Sequence, residues 1–351
     1  MKPRLIDLYS DTQTRPTAGM RAAMAAAEVG DEQSGDDPTT LRLCAEVAAL
    51  LGQEAGVFMP SGTMCNLVAI LVHTSPGDEV ICDHQSHIYG TEAAGAAALA
   101  GVSIRALPSP HGIFTARQVA DGIRPRARTA PRSALLCIEQ TTNFSGGAVW
   151  PLAQLREVRD TAHGHGLRCH LDGARLLNAS AATGIAAADY AAGWDSAWID
   201  LSKGLGCPVG AVLCGSAAFV RDAWQWKYRL GGAMRQSGVL AAAGLYALEH
   251  HVARLAADHA NALAIWRILS ACGLFRFDPP RPDSNILRFT FDAPAVRAEA
   301  FAERCLAEGV RVRAIGGNFI RATTHLDVAP QEAEQAAHAM VAVARAVAAG
   351  A

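Results

Sequence analysis

The chain has 351 residues, half of them hydrophobic and 18% charged, with a formal net charge of −2. Without a basic cluster, such a balance argues against nucleic acid or an anionic membrane as partner, and no apolar run reaches the roughly eighteen residues of a membrane span. The nine cysteines are odd in number, lack a C-x-x-C pair and sit mostly in apolar stretches, as Cys82, Cys137 and Cys214 do. They read as reduced core residues of a cytoplasmic protein, with no metal site.

In chain order, residues 4–17 form an extended entry segment, and Pro16 and Thr17 start a helix near Gly19 to Ala27. The stretch VGDEQSGDDPTT is polar and turn-rich, hence a loop. A helix follows from Leu41 to Leu51, with Leu41, Cys44, Ala48 and Leu51 on one face. A short buried strand from Gly56 then feeds Ser61-Gly62-Thr63, and an apolar helix runs from Met64 to Val72. Strand, small polar turn and helix start make an anion cradle, because free N–H groups and the helix dipole face one point. An ordinary N-cap gives the same pattern.

Further strands are expected at Val80–Cys82, Ile104–Leu107, Ala134–Ile138, Leu167–Leu171, Ala197–Leu201 and Ala211–Cys214, with helical stretches between most of them. This alternation implies an α/β fold with a mostly parallel sheet covered on both faces. Beyond Gly215 the pattern turns helical, with Phe219–Tyr228 and a long helix from Val239. The last hundred residues carry short strands at Asn285–Phe291 and Asn318–Ala322 and a terminal helix at Ala329–Ala348. They read as a smaller α+β domain, residues 246–351, after a large domain of residues 1–245.

Two residues carry most of the chemistry. Asp172 ends the apolar run Leu-Arg-Cys-His-Leu-Asp, and Lys203 lies one helical crossover later in Leu-Ser-Lys-Gly-Leu-Gly. At the carboxyl ends of neighbouring strands both point into one crevice. The pair suits pyridoxal phosphate, whose aldehyde takes a lysine and whose pyridinium nitrogen pairs with an aspartate. Of the 31 basic residues only Lys2, Lys203 and Lys227 are lysines. Arginine cannot be deprotonated in a protein, so a lysine kept among small and apolar residues is a candidate nucleophile.

His-Leu-Asp-Gly-Ala-Arg, Leu-Ser-Lys-Gly-Leu-Gly-x-Pro-Val-Gly and Gly-Gly-Ala-Met-Arg-Gln resemble the low-specificity L-threonine aldolases, and the likeness runs from Leu5 almost to the C-terminus. The resemblance implies a fold-type-I pyridoxal phosphate enzyme with a seven-stranded, mostly parallel sheet sandwiched by helices. Its activity would be retro-aldol cleavage of threonine, allo-threonine or related β-hydroxy-α-amino acids to glycine and an aldehyde. β-Elimination or racemisation would use the same Lys and Asp, and a cofactor-binding protein without turnover is the reading from another class. By resemblance Ser61, Gly62 and Thr63 hold the cofactor phosphate, and Ser202 is a further cofactor-binding residue. His87, in the pattern His87-x-x-x-x-Glu92, stacks on the ring, and His84 is the weaker candidate. Arg175, Arg321 and Ser10 bind the substrate carboxylate, and Arg175 also borders the cofactor. Arg235 resembles an arginine that reaches a neighbouring subunit's phosphate, which implies a homodimer or homotetramer with shared active sites. Two positions depart from the family. Thr142 stands where relatives commonly have His, and Ser34 where they commonly have Tyr. If both line the pocket, they leave room beside Cβ for bulky β-substituents such as the phenyl ring of phenylserine.

Overall fold

Runs of Val, Ile, Leu and Cys that are buried on both faces give the strands of a sheet covered by helices. The computed structural model describes residues 5–291, 296–316 and 318–349. It opens with a short strand, β1 (Ile6–Asp7). Seven strands then build the large sheet: β2 (Ala55–Met59), β3 (Glu79–Asp83), β4 (Ser103–Leu107), β5 (Ser133–Glu139), β6 (Arg168–Gly173), β7 (Ser196–Asp200) and β8 (Ala211–Gly215). Their spatial order is β2-β8-β7-β6-β5-β3-β4, and β8 alone runs against its neighbours. An antiparallel neighbour needs no crossover helix. The loop 201–210 therefore returns directly from β7 to β8, and Lys203 rides on it at the carboxyl end of β7.

The helices that cover the sheet start where the local chemistry dictates. Asp37 caps Pro38–Leu51 by accepting from Thr40 N at 2.9 Å, with Pro38 in the first turn and Gly52 in the left-handed conformation at the end. Ser61 caps Gly62–His73 by accepting from Met64 N at 3.2 Å. A methyl group at position 62 would stand 2.2 Å from Trp198 Cη2. Only glycine lets this helix start settle against β7.

The C-terminal part carries β9 (Phe275–Phe277), β10 (Ile286–Phe291), β11 (Val310–Arg311), β12 (Arg313–Ile315) and β13 (Phe319–Thr323). β12-β13-β10-β9 form an antiparallel sheet, whereas β11 pairs in parallel with β1. Phe275, Phe289, Phe301, Ile320 and Met340 build the core there, and Leu8 of the entry segment joins it. Thr323 N donates to Leu8 O at 2.9 Å, so the segment is stitched to β13 and delivers Ser10 and Asp11 to the large sheet.

Every strand expected from the sequence is present. β1, β9, β11 and β12 went unforeseen because two or three residues are too short to show a period. The long helix expected from Val239 is two helices, Gly238–His250 and Leu255–Ala271. The expected division at residue 245 falls inside the first of them, whose Ala241, Ala243 and Ala247 pack in the core of the large sheet. Among the described residues no helix is long and apolar enough to cross a membrane.

Lys227 is fully buried, with its ammonium against Glu32 and 4.7 Å from the Trp224 ring centre. Burial lowers its pKa, which the charge and hydrogen bond of Glu32 only partly offset. Glu32 also accepts from Met234 N at 2.7 Å, tying residues 31–37 to the loop that carries Arg235. Glu32→Ala strands a buried cation and should destabilise the fold by about 3–5 kcal/mol. Urea unfolding would show this as a lower midpoint at unchanged slope.

Candidate active site

The carboxyl ends of β5, β6 and β7 open into a cavity of about 390 Å³. Ser10, Ser61, Gly62, Thr63, His87, Asp172, Arg175, Ser202, Lys203 and Arg321 all line it. Ten of the residues singled out in the sequence thus converge on one space. Asn66, Glu139, Thr141, Asn143, Phe144, Trp198, Asp200 and Arg313 complete much of the wall.

Asp172 is 4% exposed. Its Oδ2 accepts from Asn66 Nδ2 at 2.8 Å and its Oδ1 from Ala174 N at 3.0 Å. Asn66 is held in turn, because its Oδ1 accepts from Trp198 Nε1 at 2.8 Å and lies 3.1 Å from His170 Nε2. Burial pushes the His170 pKa down to about 3, so the imidazole beneath the site is neutral. Asn66 Nδ2 also donates to Glu92 Oε1, which lies 2.7 Å from His87 Nδ1. Burial opposes the charged form of His87, but the hydrogen bond and charge of Glu92, with Asp172 and Glu139 behind it, raise its pKa above the ordinary value.

Lys203 Nζ is ion-paired with Asp200 Oδ2, while Asp200 Oδ1 accepts from Ser202 N and Ser202 Oγ, each at 2.8 Å. Thr14 Oγ1 donates to the Lys203 carbonyl at 2.9 Å and pins the loop from the entry segment. Arg175 commits Nε and Nη2 to Asp11, both at 2.7 Å. Burial would raise the Asp11 pKa, yet Arg175, with Lys203 and Arg321 beyond it, holds that carboxyl far below its ordinary value. Arg175 therefore keeps Nη1 and the second N–H of Nη2 for a ligand. Arg321 donates to Asn143 Oδ1 at 2.6 Å and to Tyr9 O at 3.3 Å, and its buried Nε has no partner among the described residues.

Several residues that the sequence suggests for the site lie elsewhere. Thr142 is buried, with Oγ1 accepting from Ala148 N at 3.0 Å, and Thr141 faces the cavity instead. Ser34 is exposed on the turn Glu32–Ser34. Neither lines the cavity of its own chain. Arg235 is also absent from the wall, with its side chain 62% exposed and paired with Asp31 at 2.7 Å. His84 lies outside, in the neighbouring cavity. Asp200, Asn66 and Asp11 were missed in the sequence. Asp200, three residues before Lys203, could have been found from that spacing.

The donor set fits pyridoxal phosphate. Gly62 and Thr63 head a helix whose first N–H groups lack intrahelical acceptors, a cradle for phosphate shared with Thr63 Oγ1 and Ser202. Asp172 is a buried carboxylate with amide donors but no ion-pair partner among the described residues, as a pyridinium nitrogen requires. Lys203 reaches the same space for the aldehyde carbon. A second cluster, His163, Cys169 and Asp195, has the make-up of metal ligands. Asp195, however, already takes Arg168 and His163, and burial keeps the Cys169 thiol protonated.

Glu139 lies beside Asp172 in register and is buried; its Oε1 accepts from His87 N and its Oε2 from Asn143 N. Burial and the charge of Asp172 raise its pKa far above the ordinary 4.5. A folded state that keeps a proton which the unfolded chain has released loses stability as pH rises through that window. Glu139→Gln in the cofactor-free protein should therefore flatten the fall in melting temperature as pH rises above 4.5. A slope equal to that of the parent would count against a protonated Glu139.

Comparison with known proteins agrees with this geometry. The family model described as "Beta-eliminating lyase" matches residues 7–291. The low specificity L-threonine aldolase of Escherichia coli K12 is 41% identical, over 95% of this chain and 98% of that one. The Saccharomyces cerevisiae protein of the same name is 33% identical, over 87% and 79%. Among solved structures, Leishmania major threonine aldolase superposes with a TM-score of 0.82 at 22% identity, covering 97% of this chain and 99% of that one. Serine palmitoyltransferase of Sphingomonas wittichii superposes at 0.78 with 17% identity, covering 98% and 88%, so the architecture is the fold-type-I one. The chain belongs to the low-specificity L-threonine aldolases, within the beta-eliminating lyase family.

Proposed function

We propose that this protein cleaves L-threonine, L-allo-threonine and related β-hydroxy-α-amino acids to glycine and an aldehyde, with pyridoxal phosphate as cofactor. The observation that carries the reading is one cavity holding Lys203, Asp172, His87, the helix start at Gly62 and Arg321 together. When bound, the cofactor supplies the electron sink for the pair released from the Cα–Cβ bond.

The chain's own residues do the rest. Lys203 holds the cofactor covalently and yields it to the substrate amine. Arg321, with Arg175 and Ser10, receives the α-carboxylate and so orients the Cα–Cβ bond for cleavage. Asp172 keeps a proton on the ring nitrogen by charge. His87 would stack against the cofactor, and its Nε2, free of Glu92, takes the β-hydroxyl proton. The Cα–Cβ bond breaks, the Cβ–O bond becomes a carbonyl, and Cα gains a proton to become glycine.

The exposed Arg235 and the exposed apolar Val29, Leu41, Tyr228 and Val239 lie on the segments around it, which supports assembly into at least a dimer. In that assembly Arg235 would reach a neighbour's cofactor phosphate, and Ser34 travels with it, since Glu32 N donates to Arg235 O at 2.9 Å. The reduced cysteines suit a cytoplasmic enzyme.

The test is aldehyde and pyruvate release, measured side by side from threonine and serine. Acetaldehyde with equimolar glycine is expected; pyruvate as the main product would establish β-elimination instead. Lys203→Ala should lose the covalently held cofactor and orders of magnitude of turnover. Borohydride fixation of cofactor at Lys227 in that variant would refute the assignment. Asp172→Asn should fold and bind cofactor yet turn over slowly.

The pH profile tests His87. Its raised pKa means that the base form is lost as pH falls through a value above 6.5. The kcat/KM for threonine should rise with pH through that point, and Glu92→Gln should move the inflection downward. An inflection that ignores Glu92 would remove His87 from the role.

A further inference from the structure

A second cavity, of about 490 Å³, opens beside the first and shares Thr91, Phe144 and Arg313 with it. Among the described residues its wall includes Arg288, Arg313 and His84 and no aspartate or glutamate. The arginines are placed by register. On the small sheet, Arg288 of β10 and Arg313 of β12 each lie directly opposite Arg321 of β13. Directly opposed residues share a sheet face, so three guanidinium groups stand in one row, and like charges opposite each other are destabilising.

Two members of the row have partners. Arg288 is ion-paired with Asp278, which also lies 2.7 Å from His111 Nε2. Arg321 receives the substrate's α-carboxylate in the reading above. The Arg313 side chain has no hydrogen bond or ion pair among the described residues, although it is half-buried. Its guanidinium lies instead 5.2 Å from the Tyr9 ring centre and 5.5 Å from that of Phe144. Two rings thus hold the fork at the mouth between the cavities with its donors free. Burial, then the charge of Arg175 and, less, of Arg313, pulls the Arg321 pKa down to about 10, a sign of excess positive charge. One α-carboxylate answers one of these charges.

We propose that Arg313 and the outer cavity receive a second carboxylate, carried at the far end of the substrate's β-substituent. The preferred substrates are then β-hydroxy-α-amino diacids, and the aldehyde released is an oxo acid. A planar guanidinium fork matches a carboxylate in two parallel hydrogen bonds, which a neutral amide cannot accept as strongly. This rests on the retro-aldol reading. The cleaved bond and the proton balance are those given above.

The test compares each acid with its own carboxamide: β-hydroxyglutamate with β-hydroxyglutamine, and 4-carboxyphenylserine with 4-carbamoylphenylserine. A charge-assisted hydrogen bond favours the acid roughly tenfold or more in kcat/KM for the member of the series whose length matches the span. That ratio should shrink with added salt, approach one in Arg313→Gln and fall below one in Arg313→Glu. Calorimetry on the holoenzyme gives a second readout without turnover. Glutamate, which lacks the β-hydroxyl, should bind more tightly than glutamine, and Arg313→Gln should erase the difference. Equal treatment of acid and amide by the parent in both substrate pairs, or a preference unmoved by either substitution, overturns the proposal. Failure of the underlying reading looks different: the parent would release no aldehyde from threonine, whatever the glutamate and glutamine affinities show.

Discussion

The site depends on a buried carboxylate that the chain itself does not neutralise. Asp172 ends β6 deep in the sheet, accepts two neutral N–H groups and has no cationic partner among the described residues. Leaving a buried charge without a counter-charge costs several kcal/mol, so its surroundings are forced. Glu139, next in register, cannot also ionise cheaply, and its raised pKa records this. His170 below stays neutral and bridges Ser196 Oγ to Asn66 Oδ1. A cationic pyridinium ring over Asp172, as proposed, would resolve the conflict and make cofactor binding and the electrostatics of folding one problem.

The helix Gly62–His73 meets that problem from two sides. Its first turn offers N–H groups toward the phosphate position, and its next residues bring Asn66 to Asp172. Both ends of a pyridoxal phosphate bound as proposed would thus be gauged by one rigid element, with their separation set by helical rise rather than by loop conformation. Trp198 fixes the depth. It donates to Asn66 Oδ1, and its ring edge leaves no space for a Cβ at position 62.

Much of this was legible in the chain. Asp172 and Lys203 were visible because a charged residue at the end of an apolar run, and a lysine in a chain that otherwise uses arginine, are both anomalies. The central strands were visible because burial on both faces leaves unbroken apolar runs. What stayed hidden depends on through-space pairing. Nothing local marks Asp11 as the partner of Arg175, 164 residues away. The alignment of Arg288, Arg321 and Arg313 needs strand register, which none of their separate stretches encodes. Thr142 misled because a motif gives the order of residues but not which of two neighbours faces the cavity. The backbone turns Thr141 inward and uses Thr142 to hold Ala148.

The two described lysines show what the bias toward arginine leaves behind. Lys203 stands where the proposed chemistry needs a deprotonable amine, because guanidinium does not give up its proton in a protein. Lys227 persists for another reason. Its space is closed by Glu32 and the face of Trp224, and it is fully buried. A guanidinium there would bring five donors to a site that supplies one carboxylate, and each unanswered buried donor costs roughly 1–3 kcal/mol. A compact ammonium leaves fewer unanswered. Scarcity therefore pointed to two lysines for two different physical reasons, and exposure separates them: the Lys203 side chain is 18% exposed in the cavity wall, whereas that of Lys227 has no path to a ligand.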